Sequence, residues 1–186
     1  MKQELKTKQA LFPLPVALIA TYGEDGRVDC MTAAWVTYAD YSKILVVLDP
    51  HRTTENLKAR KAFTISPTPK RLWKESDYFG TVSQNQVPDK FARTGLHAKK
   101  AEKVDAPLIE EYPLSMECSL VSLEGNDKDG YTLVGAIERV VCDDSVLTDG
   151  KIDVRKLEPV TFNGASVEYD AVTEVVGRAY SNRNAF

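Results

Sequence analysis

Two short segments and the strand between them decide how this chain folds: D-C-M-T-A-A-W-V-T (29–37), the apolar run K-I-L-V-V-L (43–48), and D-P-H-R-T-T-E-N-L (49–57). Upstream, Val16 to Tyr22 has the composition of a strand, and Glu24-Asp25-Gly26-Arg27 supplies an Asp-Gly turn, the strongest short-range hairpin signal. Val28 to Thr37 is then the returning partner strand. Lys43 to Leu48 is a continuous apolar run and reads as a fully buried strand. Asp49-Pro50 breaks it, Thr53 to Arg60 carries no breaker and reads as one short helix, and Ala62 to Ser66 is a further strand stopped by Pro67 and Pro69.

Residues 70 to 112 change character. They hold Trp73, Tyr78, Phe79 and Phe91 among many charges, punctuated by Gly80, Pro88 and Gly95, and predict short helices and loops forming an excursion from a sheet. Strand character resumes at Leu114 to Leu123, Tyr131 to Cys142 and Ser145 to Leu147. The turn residues Gly125 to Gly130 join the first two as a hairpin. The tail from Asn163 reads as irregular. Hairpin-linked strands with a helical insertion predict a mainly β protein, a small antiparallel barrel with short flanking helices, in one domain over residues 1–186.

Composition narrows the function. The 186 residues carry a net charge of −3 with the signs mixed, so no basic excess points to nucleic acid. Cys30, Cys118 and Cys142 are odd in number, widely spaced and without a C-x-x-C; reduced thiols in the cytoplasm fit them better than disulfides or zinc. His51 and His97 are too few and too far apart for a histidine metal site. The apolar run Leu11 to Ala20 is interrupted by Pro13 and Pro15 and is too short to span a bilayer, so it reads as the entry to a buried strand rather than a targeting or membrane segment. There is no G-x-S-x-G, no G-x-G-x-x-G and no Walker A motif.

The chemistry rests on three groups of residues. Arg52, Thr53, Thr54 and Asn56 lie at a predicted helix start, where free backbone amides, the helix dipole and a guanidinium suit a phosphate dianion; a plain threonine N-cap is the competing reading. Met31, Thr32, Ala33, Ala34 and Trp35 combine small residues, which allow a flat ring to approach the backbone, with an aromatic to flank it; small residues under a crossing element are the competing reading. Phe79, Gly80, Ser83 and Lys90, in the excursion, could cover a ring or admit a second substrate, or form a satellite apolar cluster. Cys30 adjoins the second group but reads as a small buried hydrophobe. A phosphorylated, planar, redox-active cofactor satisfies the first two groups together, and FMN is the best candidate.

The order of these segments resembles the flavin reductase-like, FMN-binding split-barrel family, and its flavoredoxin-type members most. The residues that carry the resemblance are G-E-D-G-R-V-D-C-M-T-A-A-W (23–35), D-P-H-R-T-T-E-N-L (49–57), D-Y-F-G-T-V-S (77–83), V-P-D-K-F-A-R-T-G-L (87–96), A-E-K-V-D-A-P-L-I-E-E-Y-P (101–113) and E-C (117–118). The resemblance implies a six-stranded Greek-key split barrel, a homodimer and noncovalent FMN near the dimer interface. It implies that Thr32 to Trp35 border the isoalloxazine and that Arg52 to Asn56 hold the ribityl phosphate, with Asp49 and His51 of the same run among the cofactor contacts. Asp29 stands where many relatives have Asn; a carboxylate facing the ring would disfavour an anionic reduced flavin.

Two functions follow as expectations. One is an oxidoreductase that passes a hydride or electrons from NAD(P)H or a redox protein through FMN to an acceptor. The other is a non-enzymatic FMN electron carrier between partner proteins. A split-barrel relative that binds haem or nothing is a weaker third.

Overall fold

Gly26 takes a φ of 78°, open to glycine without strain, and the Gly23 amide donates to the Arg27 carbonyl at 2.8 Å. This turn joins β1 (Ala17–Tyr22) to β2 (Val28–Ala33), with Tyr22 opposite Val28 and Ala17 opposite Ala33. The computed structural model describes residues 2–180. After the hairpin come β3 (Val36–Asp40), β4 (Lys43–Leu48), helix α1 (Arg52–Arg60) and β5 (Ala62–Pro67). Helix α2 (Trp73–Thr81) and the short α3 (Lys90–Arg93) follow, then the long hairpin of β6 (Leu114–Asn126) and β7 (Gly130–Cys142).

These strands form one antiparallel sheet in the order β2-β1-β5-β6-β7-β4-β3. It has seven strands, not the six expected. The segment read as a single strand, Val28 to Thr37, is interrupted at Ala34-Trp35, and its two halves pair with different neighbours at opposite edges of the sheet. That interruption also dictates the shape. Seven flat strands would hold their edges about 29 Å apart, whereas three Cα–Cα steps from Ala33 to Val36 reach at most about 11 Å. The sheet must therefore roll until β2 and β3 nearly meet. No ladder joins these two edges, so the roll stays open along a seam that Ala34 and Trp35 cross.

Strand alternation explains two cores. On β1, Ala17 and Ile19 point into the roll with Val46, Phe63, Ile65 and Leu133. Leu18 and Ala20 point outward, where Leu72, Phe79, Ile109 and Tyr112 of the excursion cover them. A strand buried on both faces reads as an unbroken apolar run, as β1 does. β4 has the same kind of sequence but is not fully buried. Ile44, Val46 and Leu48 face the core, while Val47 on the other face is 48% exposed.

The excursion holds the two helices and a small hairpin, Ala98–Lys100 against Pro107–Ile109. Two further expectations are corrected downstream. Asp144–Val146 is a turn of 3₁₀ helix, and only Leu147–Thr148 is strand, paired with Lys151–Ile152. The tail is not irregular throughout: Glu168–Ala171 pairs with Val160–Asn163, which pairs in turn with Leu14–Pro15. The hairpin is docked through Val160–Asn163 on Leu14–Pro15 at the far end of the chain, a contact that no local pattern announces. Among the described residues no helix is long and apolar enough to cross a membrane.

Candidate cofactor site

Helix α1 follows β4 after three residues and packs against β1 and β2. Thr54 caps it: its hydroxyl donates to the His51 carbonyl at 2.6 Å, and the His51 amide reaches the Thr54 Oγ1 at 3.2 Å. Thr53 turns inward and donates to Asp29 Oδ2 at 2.8 Å. Asn56 Nδ2 bonds Thr21 Oγ1 at 3.0 Å and lies 3.4 Å from Asp29 Oδ2. Asp29 on β2 is fully buried, and its counter-charge is Lys90, itself only 3% exposed. Lys90 Nζ donates to the Val82 carbonyl at 3.1 Å and sits 3.0 Å from Asp29 Oδ1. That is ion-pair distance, but off the direction of a hydrogen bond, so Oδ1 has no hydrogen-bond partner.

These groups surround a small polar pocket of about 90 Å³ lined by Asp29, Arg52, Thr53, Phe79, Ser83 and Lys90, among others. Lys90 and Asp29 cancel each other's charge. Arg52, ion-paired with Glu55 at 2.7 Å, leaves the pocket's own lining positive. The first amides of a helix have no intrahelical partner, and they add a favourable field for an anion. Burial lowers the His51 pKa below its ordinary value, so near neutral pH this ring contributes hydrogen bonding rather than charge.

The small pocket adjoins a larger cleft of about 490 Å³, and Met31, Thr32, His51, Gly80 and Thr81 line both. The cleft's inner wall is Thr32, Ala33, Ala34 and Trp35, with Asp49 at one end. The Thr32 hydroxyl donates to the Ser76 carbonyl at 2.6 Å and pins this strand end to α2. Opposite, a Cβ added to Gly80 would stand 3.4 Å from Thr32 Cβ, ordinary van der Waals contact, so Gly80 lies close against this strand end. A dianion in the small pocket and a flat ring in the cleft, linked past Gly80, match the parts of FMN.

Thirteen of the fifteen predicted positions thus line one cavity or the other; Thr54 and Asn56 do not, and serve instead as helix cap and as support for Asp29. Asp29 faces the polar pocket and Lys90 and is absent from the walls of the larger cleft. Sequence reading missed Asp77, Phe162 and Tyr169, which complete the cleft's outer wall; only Asp77 lies in a segment singled out beforehand. Cys30 is fully buried, and burial pushes its thiol well above the ordinary value, as does the neighbouring Asp29 charge.

Ala33 and Ala34 divide their tasks. Ala33 is 6% exposed and packs with the core inside the roll, whereas Ala34 is half-buried and faces the cleft. Ala33→Leu should lower the melting temperature of the cofactor-free protein, since overpacking a core costs roughly 1–3 kcal/mol. Ala34→Leu should leave that temperature nearly unchanged and shrink the stabilisation added by FMN. Melting both variants with and without excess FMN measures this; equal behaviour of the two would remove Ala34 from the cleft's function.

Comparison with known proteins places the chain's fold and family. The profile of the family described as "Flavin reductase like domain" matches residues 9–161. The structure of flavoredoxin from Desulfovibrio vulgaris (Miyazaki F) superposes with a TM-score of 0.89 at 34% identity, covering 97% of this chain and 98% of that one. Flavoredoxin from Methanosarcina acetivorans shares the fold, with a TM-score of 0.88 at 23% identity over 100% of both chains. A protein of Aeropyrum pernix is 29% identical over 128 residues, 67% of this chain but 48% of that protein, so the match spans about half the length of that relative.

Proposed function

The chain belongs to the flavin reductase-like family, and from that premise we propose that it is an FMN-binding oxidoreductase of the flavin reductase type, taking a hydride or electrons from a nicotinamide nucleotide or a redox protein and passing them to an acceptor. The observation that carries this reading is the junction of a positive, helix-headed pocket with a ring-sized cleft through Thr32, His51 and Gly80. Bound FMN supplies the redox chemistry by accepting a hydride or single electrons. The chain supplies position and charge. Arg52, Lys90 and the first amides of α1 hold the phosphate, with Asp29 and Thr53 fixing Lys90 and the helix start. Met31 to Trp35 border the ring with Gly80 beside them, and Phe79 and Ser83 wall the phosphate pocket. Reduced Cys30, Cys118 and Cys142 suit a cytoplasmic setting.

A yellow protein with flavin absorbance, bleached anaerobically by NADH or NADPH alone, is the result expected. A colourless protein that takes up no FMN would sink the reading. Trp35, 53% exposed at the cleft rim, favours a second reading as an electron carrier that docks a partner protein there. Reduction only by a reduced protein donor would select it.

Arg52→Ala should weaken FMN binding by about 1.5–3 kcal/mol, the range for a hydrogen bond to a charged group. The fold should persist, because its partner Glu55 is more than half exposed. Fluorescence-quenching titration measures the affinity, and an unchanged value would return Arg52 to a surface role.

A homodimer belongs to the same reading. Trp35, Tyr38 and Val47 are 53%, 63% and 48% exposed, and they wall an apolar groove of about 600 Å³ continuous with the ring cleft. Apolar surface of this kind in a soluble protein marks an interface, and a second copy covering it would give β4 the two-sided burial its sequence implies. Light scattering should return about twice the 20.7 kDa of one chain; a monodisperse monomer at micromolar concentration would contradict the dimer.

A further inference from the structure

The family profile ends at residue 161, yet two aromatic residues beyond it, Phe162 and Tyr169, line the ring cleft. They lie opposite each other in the C-terminal hairpin, ring centroids 5.9 Å apart, and Tyr169 also packs on Trp73 at 6.2 Å. The hairpin is firmly seated. The Val160 amide donates to the Thr68 carbonyl at 2.9 Å, and Phe162 pairs with Leu14 of the N-terminal arm. The Tyr169 hydroxyl donates to Asp77 Oδ1 at 3.0 Å, joining the hairpin to α2 across the cleft wall. Burial and this bond push the Tyr169 hydroxyl up to about 12, so it remains the donor. Among the described residues, the cleft's ionisable lining is Asp49, Asp77, His51 and Tyr169, with no lysine or arginine.

Resting on the flavin reading above, we propose that Phe162 and Tyr169 form the outer wall of a subsite for the second reactant, and that Asp77 makes this subsite selective for an uncharged planar ring over an anionic one. The aromatic faces supply stacking surface to a ring lying parallel to the flavin. The carboxylates of Asp49 and Asp77 repel an anion in a partly desolvated cleft.

The test uses FMN-loaded protein and two probes of one shape, nicotinamide and nicotinate, followed by perturbation of the flavin absorbance. Nicotinamide should bind saturably and nicotinate about tenfold more weakly, as one like charge at partial burial requires. Phe162→Ala should weaken nicotinamide by about fivefold to tenfold, the value of one aromatic contact. Asp77→Asn should narrow the difference between the two probes, with Asp49 left to repel the anion. Tyr169→Phe keeps the ring but frees the Asp77 carboxylate, so it should widen the difference. Equal binding of the two probes by the wild type, or nicotinamide affinity and probe ratio unmoved in all three variants, overturns the proposal while FMN binding stands. Failure of the wild type to take up FMN at all overturns the flavin reading together with this one.

Discussion

Lys90→Met should lower folding stability by about 3–5 kcal/mol, the usual consequence of stripping the partner from a buried charge. Asp29 is fully buried, and the ammonium at 3.0 Å is the cation facing it. What remains around the carboxylate, Thr53 and Asn56, are neutral donors to Oδ2. Methionine keeps most of the volume of the lysine stem, so lost packing contributes little. The double variant Asp29→Asn with Lys90→Met should therefore recover most of the loss, because neither buried charge remains. FMN affinity should not recover with it. If Lys90 also faces the phosphate, the double variant stays weaker by about 1.5–3 kcal/mol. Urea unfolding of the three variants and FMN titration of the double variant separate the two roles. A stable double variant with wild-type affinity would make Lys90 purely structural.

This pair also marks where reading the sequence stops. Thr53 and Arg52 were legible as a phosphate-suited helix start because helix-initiating residues signal through spacing along one short segment. The Asp25-Gly26 turn was legible for the same reason. Asp29 and Lys90 are on β2 and α3, and nothing local says that one neutralises the other. The break at Ala34-Trp35 was hidden differently: both halves keep strand composition, and only the pairing of Val36–Asp40 with β4, rather than with β1, divides them. The seventh strand and the open seam follow from that single choice of partner. Phe162 and Tyr169 were invisible because a hairpin formed against Leu14–Pro15 depends on contacts spanning most of the chain. Local chemistry thus reveals the parts of the site, and the long-range pairing that assembles them has to be seen.

Arg139→Met should also cost about 3–5 kcal/mol of stability, but leave FMN affinity untouched. Glu117, in the Glu-Cys pair that contributed to the resemblance, is fully buried on β6 and lines neither cavity. Its Oε1 receives Arg139 at 3.0 Å, and its Oε2 receives the Lys103 amide at 2.6 Å. Arg139 reaches Glu102 as well, at 3.1 Å. The carboxylate therefore ties the loop of the small hairpin after Lys100 to the main sheet. Methionine at 139 leaves Glu117 buried with a single amide donor, whereas Glu117→Gln on that background removes the charge and should restore much of the stability. Denaturant unfolding with and without FMN reads both effects. A cofactor increment that stays constant across wild type, Arg139→Met and the double variant, while the baseline falls and recovers, assigns Glu117 to the scaffold. An increment that falls with Arg139 would instead show the scaffold and the flavin site to be energetically coupled. The same physics thus operates at two buried carboxylates, and the response to FMN distinguishes the one lining the small polar pocket from the one that lines neither cavity.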